Sequence, residues 1–136
     1  MQVQKRRIFL VDDDTEMRLA VGRLLKASGF QVKTFESAEA LLDSGMVTDT
    51  DCLVLDVHMD GLSGFELCDR LRQQGHELPV IFLTAYDDPG SRERAKTLGA
   101  AAYLSKPFRA RLLLEAIDVA CKQRSPMASG NENKKE

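Results

Sequence analysis

Four short apolar runs, Ile8 to Val11, Cys52 to Leu55, Val80 to Leu83 and Ala102 to Leu104, punctuate the chain, and between them the hydrophobic spacing becomes helical. This alternation restricts the fold more than any other feature. The four runs carry no alternating polar residues, the pattern of strands covered on both faces. Gln31 to Phe35 is a weaker fifth strand, in which Val32 and Thr34 oppose Lys33 and Phe35 as on a sheet edge.

The intervening segments carry helix signals. Met17, Ala20, Val21, Leu24 and Leu25 recur at spacings of three and four, so Thr15 to Ser28 reads as an amphipathic helix stopped by Gly29. Ser37 is an N-cap for a short second helix through Leu42. Ser63 caps a third, with Phe65, Leu67, Cys68 and Leu71 facing inward before Gly75. Asp88 and Pro89 supply the cap and first turn of a fourth, whose apolar side is thin, chiefly Ala95 and Leu98 before Gly99. A fifth runs from Arg109 to Lys122, with Leu112, Leu113, Ala116, Ile117 and Ala120 as its buried stripe.

Strand and helix thus alternate five times. The order predicts a doubly wound α/β domain, a parallel sheet with helices on both faces and right-handed crossovers. At 136 residues the chain fits one such domain, expected over 1–124. From Ser125 to Glu136 it turns polar and low in hydrophobic content, which predicts a disordered tail or linker.

Composition removes several function classes. No apolar run approaches the roughly 20 residues that a membrane span requires, and Ile8 to Val11 is too short for a signal-peptide core, so a cytoplasmic protein is expected. A formal net charge of −2, with the basic residues scattered, offers no field for a nucleic-acid backbone. Cys52, Cys68 and Cys121 lack CxxC spacing and lie in apolar segments, so they read as buried reduced thiols. His58 and His76 have no partner at metal spacing and are not read as side-chain ligands.

The chemistry lies at the strand ends. Asp12 and Asp13 follow the first strand, and Asp56, Thr84 and Lys106 end the third, fourth and fifth. In open α/β sheets, ligands bind outside the carboxyl ends of the strands, where strand order reverses. With order 2-1-3-4-5 that point lies between strands one and three, where Asp12, Asp13 and Asp56 meet. Three carboxylates in close proximity repel one another unless a cation joins them. A hard divalent ion such as Mg2+ suits carboxylates plus a substrate phosphate, with Lys106 supplying a positive charge and Thr84 a hydroxyl for the phosphoryl oxygens.

Four motifs at matching strand ends carry a family resemblance: Ile8-Phe9-Leu10-Val11-Asp12-Asp13-Asp14, Leu55-Asp56-Val57-His58-Met59-Asp60-Gly61-Leu62-Ser63-Gly64, Leu83-Thr84-Ala85 and Lys106-Pro107-Phe108. From about Arg7 to Arg124 the chain resembles the receiver domains of bacterial two-component response regulators. Phe35 to Leu42 and Gly99 to Tyr103 look most like receivers of the nitrogen-fixation regulator type.

The resemblance implies a (βα)5 flavodoxin-like fold and a two-component signalling switch. Asp56 would be the phosphoacceptor, served by a histidine kinase or phosphotransfer protein. Mg2+ would be held by Asp13, Asp56 and the backbone carbonyl of His58, with Asp12 acting through water. Thr84 and Tyr103 would form the switch pair, and the surface of helix four, strand five and helix five would change its partner. Homodimerisation on phosphorylation is left open. The Lys106-Pro107 bond is expected to be cis. One departure stands out: the family usually has proline after the methionine of the third-strand loop, and here the residue is Asp60.

Blander readings of the same residues remain open. In isolation Asp12 and Asp13 would be turn and N-cap residues, Lys106 a surface lysine, and Tyr103 a packing aromatic. Two other functions compete, namely an aspartyl-nucleophile phosphatase and an unphosphorylated interaction module. The phosphatase pattern D-x-D-x-T is not met, because Thr15 falls one position early after Asp12 and Asp14.

Overall fold

The computed structural model describes residues 5–123. Five strands form one sheet: β1 (Arg7–Val11), β2 (Gln31–Phe35), β3 (Cys52–Asp56), β4 (Val80–Thr84) and β5 (Ala102–Ser105). The helices between and after them are α1 (Thr15–Ala27), α2 (Ala38–Ser44), α3 (Gly64–Gln73), α4 (Pro89–Thr97) and α5 (Ala110–Gln123), with a single 3-10 turn at Val47–Asp49. All strand pairs are parallel, in the order β2-β1-β3-β4-β5. The expected doubly wound sandwich is therefore the observed one. The expected boundary at Arg124 and the tail 125–136 lie outside the described residues.

β3 and β4 are buried along their whole length. Each strand face has its own core: Phe9, Leu53, Leu55, Phe65 and Phe82 belong to one, and Ile8, Leu10, Val54, Ile81, Leu113 and Ile117 to the other. This division explains why the central runs are continuously apolar: successive side chains on a strand enter opposite cores. The three cysteines are buried, as expected.

Three details correct the sequence reading. Ala102 to Leu104, read as covered on both faces, is only half-buried, because β5 closes the sheet edge and has a neighbour on one side alone. In α1 Ala20 is exposed while Gly22 joins Val21 and Leu25 in the core. In α5 Leu112 is 46% exposed and Ala116 half-buried, and Cys121 completes the stripe of Leu113, Ile117 and Ala120. Spacings of three and four leave the phase of a stripe open by one position, and the sheet selects the phase.

α3 carries a capping box. The Ser63 hydroxyl accepts the Glu66 N–H at 3.1 Å, and the Glu66 carboxylate accepts the Ser63 N–H at 2.9 Å. Two amide groups that the helix leaves unpaired are thereby satisfied. Ser63→Ala is expected to lower stability by about 1 kcal/mol, measurable as a shift of the urea midpoint at unchanged slope.

α4 is anchored differently. Ala95 is its only fully buried residue, and its arginines add polar contacts. Arg92 pairs with Asp87. Arg94 bonds Asp69 at 3.2 Å, with its guanidinium 5.1 Å from the Phe65 ring centroid. Polar, solvent-exposed contacts of this kind hold a helix weakly.

Candidate phosphoacceptor and metal site

The carboxyl ends of β1, β3 and β4 and the start of the loop after β5 converge on one edge of the sheet. Val11 and Leu55 are register partners, so the residues that follow them, Asp12 and Asp56, emerge side by side. One carboxylate oxygen from each of Asp12, Asp13 and Asp56 lies within 4.8 Å of the other two. Asp12 is fully buried, Asp56 is 5% exposed and Asp13 is exposed.

Lys106, one residue beyond the end of β5 rather than within it, reaches into this cluster. Its Nζ donates to Asp56 Oδ1 at 3.1 Å and to Asp12 Oδ2 at 3.2 Å. The Lys106-Pro107 peptide is cis, as expected. One ammonium does not neutralise three carboxylates. Burial, and then the charge of Asp12, push the Asp56 pKa from its ordinary 3.8 to about 6 against the pull of Lys106. The Lys106 pKa is raised: its own burial opposes this, and Asp56 and Asp12 outweigh that burial.

This donor set fits a hard divalent cation. The side-chain ligand candidates are all carboxylate oxygens, one of them exposed to an approaching ion, and a residual negative charge would be relieved on binding.

The remaining contacts hold the cluster in shape. Asp12 Oδ1 accepts the Asp14 N–H at 2.9 Å, and the Asp12 carbonyl accepts Arg18 Nη1 at 2.8 Å. Asp14, not Asp12 or Asp13, is the N-cap of α1, accepting the N–H groups of Glu16 and Met17. Asp13 Oδ2 accepts the Asp60 N–H at 3.1 Å. Glu39 was not anticipated as part of the site's support. Its carboxylate accepts the Leu62 N–H at 2.9 Å, tying α2 to the β3–α3 loop, and that bond holds its pKa below the ordinary value. No sequence pattern marks Glu39, whereas Asp14 directly before Thr15 follows the N-cap rule.

Thr84 is fully buried at the same edge, its hydroxyl turned onto its own loop. It donates to the Tyr86 carbonyl at 3.2 Å and accepts the Tyr86 N–H at 3.0 Å. Tyr103 pairs in register with Phe82. Its hydroxyl is buried and faces Asp87 and Ser91. It borders a surface cavity of about 580 Å3 lined also by Arg92, Pro107, Phe108 and Leu112. His58 is exposed, its ring edge-to-face with Tyr86 at 5.3 Å. Neither histidine side chain joins a metal-ligating cluster among the described residues, and no described helix is long and apolar enough to cross a membrane.

Known proteins resemble this chain in sequence and fold. Residues 8–118 match the response regulator receiver domain family. The transcriptional regulatory protein TdiR of Thauera aromatica is 38% identical over 93% of the chain, which spans 56% of TdiR. FixJ of Bradyrhizobium diazoefficiens is 37% identical over 91% of the chain, which spans 60% of FixJ. The crystal structure of FixJ-N superposes with a TM-score of 0.80 at 32% identity, covering 88% of this chain and 96% of that one. The likeness to FixJ agrees with the resemblance to nitrogen-fixation regulators, and the chain spans little more than half of these relatives' own length. On its sequence, its fold and the position of its acidic cluster, the chain belongs to the response regulator receiver domain family, the phosphoacceptor modules of two-component signal transduction.

Proposed function

We propose that Asp56 is the residue of this receiver that takes the phosphoryl group, with a histidine kinase or phosphotransfer protein as donor. The observation that carries this reading is the convergence of Asp12, Asp13 and Lys106 on Asp56 at the carboxyl edge of the sheet. Asp13, Asp56 and the His58 carbonyl would hold Mg2+, with Asp12 assisting through water. When bound, Mg2+ supplies charge neutralisation for the carboxylates and the phosphoryl oxygens.

The chain's own residues account for the remaining steps. The Asp56 carboxylate forms a bond to phosphorus as the donor's P–N bond, or the P–O bond of a small acyl phosphate, breaks. Lys106, already bonded to Asp56, follows the charge onto a phosphoryl oxygen. Each molecule carries one phosphoryl group, which leaves when water cleaves the acyl phosphate to carboxylate and inorganic phosphate, so the chain acts as a switch.

The readout passes through Thr84. Charged phosphoryl oxygens are stronger acceptors than the Tyr86 carbonyl, so they would draw the Thr84 hydroxyl away from that loop. The β4–α4 segment would follow, and weakly held α4 with it. Tyr103, which borders the cavity between β5 and α5, would turn inward and reshape it. This is a population shift between two arrangements.

Incubation with Mg2+ and acetyl phosphate is expected to give one labile phosphoryl adduct by intact mass spectrometry, absent in Asp56→Asn and in EDTA. A wild-type protein that gains no adduct would sink the assignment, and sustained turnover of varied phosphate esters would favour a hydrolase instead.

A further inference from the structure

Asp60 stands where the resemblance leads one to expect proline, and its backbone is what touches the site. The Asp60 N–H donates to Asp13 Oδ2 at 3.1 Å, joining the β3–α3 loop to the β1–α1 loop across 47 positions of sequence. Proline has no N–H and cannot make this bond.

The three carboxylates differ in what orients them. Asp12 is fully buried and bonded to Lys106 and to the Asp14 N–H. Asp56 is nearly buried and bonded to Lys106. Asp13 is exposed, and among the described residues the Asp60 N–H is its only hydrogen-bond donor.

The donor is itself fixed. After Asp60, Gly61 adopts φ +76° beneath the Glu39 carboxylate, which would lie 2.6 Å from any Cβ at that position. Leu62 bonds Glu39, and Ser63 opens α3. The Asp60 amide is therefore presented from a loop pinned on both sides, by β3 and by the Gly61–Ser63 turn.

We infer that the Asp60 backbone N–H is a positioning group for Asp13, holding its carboxylate toward the cluster, and that it raises this chain's affinity for a divalent cation. The inference rests on the reading of the cluster as a metal site. Hydrogen bonds to ligating carboxylates fix their orientation, and losing one typically weakens metal binding at least tenfold. The Asp60 side chain has a lesser role, because an exposed charge is screened by solvent.

The test is a Mg2+ titration of the full chain, followed by amide chemical shifts, in the wild type, Asp60→Ala and Asp60→Pro. Alanine keeps the N–H and removes the charge, whereas proline removes both. Asp60→Pro is expected to weaken Mg2+ binding about tenfold, with Asp60→Ala within about twofold of wild type. Equal losses in the two variants, or none in Asp60→Pro, would overturn the inference while leaving the metal site standing. A wild type without saturable Mg2+ binding would remove the metal site and the inference together. Should Asp60→Pro fail to fold, as judged by melting in EDTA, the Asp60 amide proton decides. In the metal-free wild type it should resonate downfield and move upfield in Asp13→Ala, and an amide indifferent to Asp13→Ala overturns the inference.

Discussion

Gly64→Ala is expected to destabilise the protein by about 3 kcal/mol and to impair phosphoryl transfer at Asp56, although residue 64 carries no chemistry. A Cβ at this position would lie 2.3 Å from the Asp56 carbonyl oxygen, 3.1 Å from its carbonyl carbon and 3.3 Å from Val57 Cα. All three are backbone atoms, so no rotamer change relieves the overlap. The Gly64 N–H also donates to the Val57 carbonyl at 3.0 Å, drawing the first turn of α3 against the end of β3. Relief would require α3 to lift or the Asp56 peptide to turn. Lifting α3 would loosen buried Phe65, Leu67, Cys68 and Leu71 and the Phe65–Phe82 edge-to-face pair at 4.8 Å. Turning the peptide would re-aim the acceptor. Gly75→Ala is the comparison: its φ of +89° imposes strain, but no atom lies within 4 Å, so about 1 kcal/mol is expected. Urea unfolding and acetyl phosphate labelling of both variants check this, and a Gly64→Ala protein as stable as Gly75→Ala would refute the close approach.

The contrast between Gly64 and Asp56 shows which parts of this site a sequence reveals. Asp12, Asp56 and Thr84 could be located because each adjoins a strongly apolar strand, and parallel strands of equal length bring their ends to one edge. Lys106 is marked by Pro107 after it together with the end of β5. The same logic placed the five helices but not their rotation, so Ala20 and Leu112 were assigned to the core and are exposed. Gly64 enters the sequence reading only as the last residue of a motif, because its proximity to the Asp56 backbone depends on how α3 docks. Asp60 stands out in the sequence only as a departure from proline, whereas its observed contact is made by the main chain. Backbone hydrogen bonds and Cβ clearances depend on how loops and helices dock, which residue type alone does not specify, and both features adjoin Asp56.

In the metal-free protein, stability is expected to fall as pH rises from about 4 to about 7, by up to about 3 kcal/mol. The cause is the Asp56 carboxyl, whose pKa in the folded state is about 6 against an ordinary 3.8, raised by burial and then by Asp12. Between these two values the folded protein retains a proton that the unfolded chain has released, so each step up in pH costs the folded state. Below the window both states are protonated and the contribution is complete; above it the contribution is lost. Lys106 does not cancel the effect, because a raised lysine pKa stabilises throughout this range and is lost only above its ordinary 10.5. Asp87 and Asp88, held below 3.8 by Arg92 and Ser91 respectively, titrate beneath the window, and stability tied to them is lost only as pH falls further. Asp56→Asn removes the titrating group, so the difference between wild type and variant isolates it. Urea unfolding in EDTA should show the variant gaining on the wild type between pH 4.5 and 7.5, and parallel profiles would refute the shifted pKa. Added Mg2+ should reverse the loss in the wild type at pH 7.5 and do little at pH 4.5, because a cation stabilises the carboxylate and not the acid. The charge repulsion among the three carboxylates thereby becomes the driving force for cation binding.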